Sequence, residues 1–381
     1  MRVWPFRRRA AVPGVVLSSA DLLAIEASLR VAAANVLAIR DRQVRGGVIV
    51  FRGALAMAPA RATDILVERF RPWGYTPFLR AEGGEAVLQA WPLADTEAPP
   101  RVGLATALFL ATCVSTLVAG WLFFSGSPTF DALRAAPFPL SVASGVPFAF
   151  TILAILGCHE FGHYFTARFY HASVSLPYFI PAPPPFLVGT LGAVIRMRSP
   201  VRDRNTLFDI AVAGPLAGLA VALPAFVLGL DWSRLIPSAE DTLGGFGHSL
   251  LTRVLATLHF GDVPRGMAVS THPMVDAAWV GFLVTALNLL PIGQLDGGRI
   301  AYALFGRNHR RVGLIAFVML LALGIATGAS NWLVWAALVF FLVGFEHSPP
   351  LDDITPLSTG RRLVGVVCLI LLVLLIPPVP M

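Results

Sequence analysis

The sequence predicts a polytopic α-helical membrane protein of about seven transmembrane spans, with a re-entrant β-like segment and a small N-terminal soluble α+β domain. Three observations carry that expectation. Of 381 residues, 56% are hydrophobic and only 13% charged, and the mean hydropathy is +0.72, a composition outside the soluble range. Apolar runs long enough for a bilayer begin only after residue 101, behind a stretch of ordinary polarity. The basic residues are all arginine, and of the 15 beyond residue 101 most gather in alternate connections between those runs.

The first hundred residues read as a soluble, cytosolic unit. Arg2, Arg7, Arg8 and Arg9 give it the basic start of a signal peptide. The apolar stretch behind them is short, broken by Pro13 and closed by Asp21, so cleavage is not expected. Ser19 and Asp21 can start a helix that runs through Leu22, Leu23, Ile25, Leu29 and Val31 to about Ile39. Residues 46–56 are strand-like, 60–70 helical, and 74–81 and 85–93 two further strands. A helix over one face of an antiparallel sheet satisfies that order. No catalytic constellation stands out in this unit, and nothing in it names a partner.

From residue 101 to 381 the chain reads as a membrane domain. Spans are expected at 103–124, 146–169, 207–230, 277–290, 312–327, 332–345 and 363–376. Between the second and third, PAPPP (181–185) precedes FLVGTLGAVIRM (186–197), which is too short to cross and too β-branched and glycine-punctuated for a good helix. It is expected to be a hairpin or strand tucked against protein, because unpaired backbone cannot face lipid. The segment 250–260 is semi-apolar and ambiguous. With the first domain in the cytosol, the cytosolic connections hold Arg168, Arg196, Arg198, Arg202, Arg204, Arg299, Arg307, Arg310, Arg311, Arg361 and Arg362. The opposite side holds only Arg134, Arg234, Arg253 and Arg265.

The net charge of +7 does not indicate nucleic acid, since no basic helix interleaved with stacking aromatics is present. Cys113, Cys158 and Cys368 lie far apart in apolar runs and make no C-x-x-C pattern, so they read as plain thiols.

The chemistry-bearing stretch is His159-Glu160-Phe161-Gly162-His163, inside the second span. Residues four apart share a helix face, so the two histidines can grip one metal ion while Glu160, one step round, can take a proton from metal-bound water. A catalytic zinc takes three protein ligands and keeps one position open for water. Asp296 is the strongest candidate for the third: it follows a proline-broken helix end and precedes Gly297-Gly298. Asp209 is the runner-up, followed by Glu346 and His347, and Asp296 also reads as an N-cap. Asn205, Asp209, Thr285 and Asn288 could line a water path or serve equally as caps and interhelical bonds.

With these residues in place the chain resembles the site-2 proteases, zinc metalloproteases that cleave within membranes. Members pair HExxH on one transmembrane helix with N-x-x-P-x-x-x-x-D-G on a later one, and here Asn288, Pro291, Asp296 and Gly297 keep both spacings. The resemblance covers about 146–307, the expected catalytic core, and includes GTLGAVIRM and AGPLAG (213–218). It implies one zinc per chain held by His159, His163 and Asp296, Glu160 as general base, and Asn288 at the scissile peptide or its oxyanion. It further implies transmembrane protein substrates met in the lipid bilayer of a bacterial-type inner membrane. Many bacterial members carry a PDZ domain in an extracytosolic loop, for which the connection after 230 is too short. The N-terminal domain and extra C-terminal spans look more like the plastid and cyanobacterial-type branch. A zinc-binding scaffold without activity and an ion transporter are the rival readings; the intact Glu160 opposes the first.

Overall fold

The computed structural model describes residues 19–92, 101–237, 247–264 and 266–379. The basic N-terminus, Ser238 and Arg265 therefore lie outside the described residues.

Glycine pairs set the hairpins of the N-terminal unit. Helix α1 (Ser19–Ala32) leads into strands β1 (Leu37–Arg45) and β2 (Val48–Leu55), then α2 (Pro59–Phe70), β3 (Thr76–Glu82) and β4 (Glu85–Trp91). Gly46-Gly47 and Gly83-Gly84 make the two tight turns with positive φ, between 58° and 84°, a conformation glycine adopts without steric cost. All strand pairs are antiparallel, in the order β1-β2-β4-β3. Leu29 and Ala33 from the first helical stretch, and Ala62, Leu66 and Phe70 from α2, bury against Ile49, Phe51, Leu79 and Leu88 of the sheet.

This corrects the sequence expectation at one place. The first helix ends at Ala32 rather than near Ile39, and Asn35 turns the chain with φ 64° into an unexpected fourth strand. Strand β1 carries polar side chains on both faces beyond Ile39, so it has no alternating pattern to betray it.

The remainder is helical. Among the described residues, four segments are long and apolar enough to cross a membrane: Val102–Phe123 (α3), Leu140–Phe169, Arg204–Asp231 (α6) and Asp296–Thr327. After α3 comes a single helical turn, α4 (Asp131–Arg134); the second of these segments ends in α5 (Val146–Phe169). The fourth is interrupted, with α9 (Asp296–Phe305) ending at Gly306 before α10 (His309–Thr327) begins. Shorter helices complete the set: α7 (Leu250–Phe260), α8 (Pro273–Leu289), α11 (Ser330–Leu338), which runs on as a wider turn to Val343, and α12 (Thr359–Leu375). Length and apolarity thus support four crossings directly, fewer than the seven expected.

Helices α5, α6 and α8 form the centre, with Ile155, Phe208, Phe226 and Phe282 fully enclosed among them. Gly162 lets α5 approach the backbone of α6 at Ala213, where any β-carbon would crowd the carbonyl. Residues 186–197 do supply a strand, β6 (Thr190–Val194), paired antiparallel with β5 (Tyr178–Pro181). This hairpin is fixed to α3 at Gly189, whose carbonyl accepts from Ser115 Oγ at 2.6 Å. The ambiguous segment is α7, which lies in the chain between the two paired antiparallel strands β7 (Arg234–Pro237) and β8 (Met267–Ser270).

Candidate metal centre

Helical periodicity puts His159 and His163 on one face of α5, and the turn Pro291–Leu295 delivers Asp296 to the same point from the first position of α9. Their donor atoms converge. His163 Nε2 lies 3.0 Å from Asp296 Oδ2, His159 Nε2 lies 3.4 Å from the same oxygen, and the two nitrogens are 3.2 Å apart. Among the described residues this is the one group of three such donors close enough to share an ion. All three residues are buried, between 3% and 8% exposed.

These spacings fit zinc. Donors held about 2.0–2.1 Å from a tetrahedral centre stand ~3.3 Å from one another. Three protein donors also leave a fourth position for water or a peptide oxygen.

The surroundings fix the donors. His163 Nδ1 sits 2.6 Å from the Ile210 carbonyl oxygen of α6, so this nitrogen carries the proton and Nε2 is left to face the other ligands. Gly214, one turn along α6, lies directly against the His163 ring, and Gly218 lies against His159. Gly297 and Gly298 lie against the carbonyls of Leu289 and Ile292, so α9 turns in without side chains in the way. Arg299, one turn beyond Asp296, places Nη1 3.8 Å from Asp296 Oδ1. Asn288 Nδ2 lies 3.3 Å from His159 Nε2, and Glu160 is buried beside the histidines.

The alternative ligands do not join this group. Asp209 accepts two bonds from Arg361, at 2.6 and 2.7 Å, and one from the Tyr170 hydroxyl at 2.5 Å, tying α12 to α6 and to the end of α5. The His347 ring lies tilted against Tyr302, and the Glu346 backbone carbonyl accepts from Gln294. Of the four water-path candidates, Asn205 bonds Pro356 and Ser358, Thr285 bonds back to Gly281 in its own helix, and only Asn288 reaches the centre. Gly214, Arg299 and the Ile210 carbonyl escaped the sequence reading. The small-residue spacing of AGPLAG was visible but suggested only close helix contact.

The sequence that carries these residues has counterparts in known proteins. Residues 147–330 match the sequence profile of peptidase family M50. That stretch is an M50 peptidase domain. It is 37% identical over 246 residues to the probable zinc metalloprotease EGY1, chloroplastic, of Arabidopsis thaliana, an overlap of 62% of this chain and 44% of that one. With the probable zinc metalloprotease EGY2, chloroplastic, of Oryza sativa subsp. indica it shares 31% identity over 353 residues, 88% of this chain and 62% of the relative. The probable zinc metallopeptidase EGY3, chloroplastic, of Arabidopsis thaliana is 29% identical over 283 residues, 68% and 46% of the two chains. This chain therefore spans about half the length of the curated relatives it matches. No solved structure matches it.

Proposed function

We propose that this chain is a zinc metalloendopeptidase that hydrolyses peptide bonds within transmembrane segments of membrane-anchored proteins. The observation that carries the reading is the convergence of His159, His163 and Asp296 inside an apolar helical core, with the carboxylate of Glu160 buried alongside. Zinc at this cluster supplies a Lewis acid for the peptide carbonyl and lowers the pKa of water to about 7.

The chain's own groups do the rest. Glu160 takes a proton from the attacking water and passes it to the leaving amine. Asn288, beside His159, offers its amide to the carbonyl oxygen as negative charge develops there. Burial of the cluster excludes bulk water and strengthens each of these interactions. A substrate helix hides its own amides and must unwind before attack. Strand β6 is paired on one edge only among the described residues, which leaves its other edge for an extended substrate. The converging donors lie within 4.8 Å of one another, unlike a transport path, which would spread ligands over several depths.

The domain division falls at about residue 100, with the catalytic core at 146–307. In the membrane, α8, α11 and α12 join the four longer segments to make seven crossings. The N-terminal domain lies on the arginine-rich, cytosolic side of a bacterial-type inner membrane. The test is Glu160→Ala in the full chain: zinc stays at one per chain while cleavage of a transmembrane substrate is lost. Retained cleavage refutes the mechanism, and lost zinc makes Glu160 a ligand.

A further inference from the structure

Between α11 and α12 the chain forms a strap, residues 344–358, that touches three bodies. The Glu346 carbonyl accepts from Gln294 Nε2 at 3.0 Å, in the turn that delivers Asp296. Leu351 N–H donates to the Val201 carbonyl at 2.9 Å and Asp352 N–H to that of Arg202 at 2.8 Å, so the strap runs beside the approach to α6. On its other side Leu79 N–H donates to the Leu351 carbonyl at 2.7 Å, and Asp353 N–H to the Leu79 carbonyl at 2.9 Å. The strap thereby caps the outer edge of β3 in the N-terminal domain.

Asp353 stands at the junction and is 8% exposed. Its carboxylate accepts from Arg204 Nε of α6 at 2.8 Å and lies close to the Tyr302 side chain of α9. The Arg204 guanidinium packs against Gly306, at the end of α9. Two more exposed ion pairs join the domains, Arg202 to Asp64 and Arg307 to Glu82, each at 2.6 Å.

Helix α9 has ten residues, a rod ~15 Å long. Asp296 is its first residue and Tyr302 lies six further on. A turn after Pro291 precedes it, and Gly306, with φ 54°, breaks it from the short turn that leads into α10. Ile300 and Ala303 hold its apolar side in the core with α6 and α8, while Tyr302, Gly306 and Arg307 hold its polar side and far end. Adhesion alone does not ask for a buried charge, because apolar residues of similar volume serve stability as well or better. A carboxylate bonded to Arg204, whose guanidinium lies against Gly306 at the end of α9, fixes register.

We infer that Asp353 is a positioning residue for the metal centre: it links the docked N-terminal domain to α9 and holds Asp296 at the distance its two histidines require. The inference rests on Asp296 being the third ligand. It gives the N-terminal domain a task, as part of the scaffold of the site.

The test measures zinc dissociation constants by chelator competition on full chains in nanodiscs, with the visible spectrum of the cobalt-substituted protein as a report on ligand geometry. Asp353→Asn is expected to weaken zinc ~10–100-fold and shift the cobalt spectrum. Asp64→Arg with Glu82→Arg sets like charges against Arg202 and Arg307 at exposed positions that do not threaten folding. This pair is expected to weaken zinc roughly 3–10-fold, and adding Arg202→Asp with Arg307→Glu to restore it. Asp353→Asn with wild-type affinity overturns the inference. If that variant does not fold, the charge-reversed pair decides, and unchanged affinity there overturns it. Asp296→Ala, measured alongside, separates the two levels: if it too leaves affinity unchanged, the ligand reading has failed and takes this inference with it.

Discussion

The imidazole of His163 fills the space where Gly214 has no side chain, and a β-carbon at residue 214 would overlap the ring. The same ring is bonded through Nδ1 to the Ile210 carbonyl one turn earlier in α6. Helix α6 therefore holds one ligand by an acceptor and by a gap. Gly214→Ala is expected to weaken zinc at least 10-fold, whereas Gly157→Ala, on the same helix as the histidines but with open space around it, should leave zinc unchanged. Metal content after dialysis against a weak chelator compares the two. Equal zinc retention would mean that the ring can turn aside at little cost.

The two acidic candidates should separate cleanly. Asp296→Ala removes a donor and is expected to strip zinc. Asp209→Ala leaves Arg361 and Tyr170 without their shared partner, so it is expected to cost ~1–2 kcal/mol of stability while zinc stays near one per chain. Metal content and a denaturation midpoint on both variants check this, and a reversed order removes Asp296 from the ligand set.

Strand β6 offers the next test. Val194 is 54% exposed near the end of the hairpin. Val194→Pro removes one amide and is expected to slow cleavage of a transmembrane substrate at least 10-fold with zinc unchanged. Wild-type cleavage by this variant would leave the hairpin as a plug that seals the centre.

Stability should depend on pH through His347 in the strap. Burial, with the charges of Arg299 and His309, pushes its pKa down from 6.5 to about 3. The folded state keeps the ring neutral while the unfolded chain binds a proton below about 6.5. The stabilisation is therefore complete above that pH and is lost at up to ~1.4 kcal/mol per unit as pH falls towards 3. His347→Gln should flatten the stability profile between pH 6.5 and 5. An unchanged slope would assign the acid sensitivity to other groups.

Topology is open to labelling. Cysteines at Thr359 and Arg234 should react from opposite sides of the membrane, with residue 359 on the side of the N-terminal domain. Reaction from one side only contradicts the alternation of seven crossings.

What the sequence made legible was whatever is written locally. The i, i+4 histidines, the glycine pair after Asp296, the long apolar runs and the β-branched segment at 186–197 each carry a pattern within a dozen residues. The strand β1 did not show, because an edge strand exposed on both faces has no alternation to read. Asp209 looked like a ligand because a carboxylate in an apolar run is costly, yet its partner Arg361 lies in another helix more than a hundred residues away. Asp353 was invisible for the same reason: its meaning depends on Leu79, Arg204 and Tyr302 meeting in space.

The strap that caps β3 also orders events in time. Leu79 is synthesised early and Leu351 near the end, so the outer edge of β3 waits, unpaired, while nearly all the membrane helices are made. Through that interval α9 lacks its contact with Asp353, even once His159, His163 and Asp296 have all left the ribosome. On the inference that Asp353 positions α9, a copy truncated before residue 344 is expected to hold zinc more loosely than the full chain.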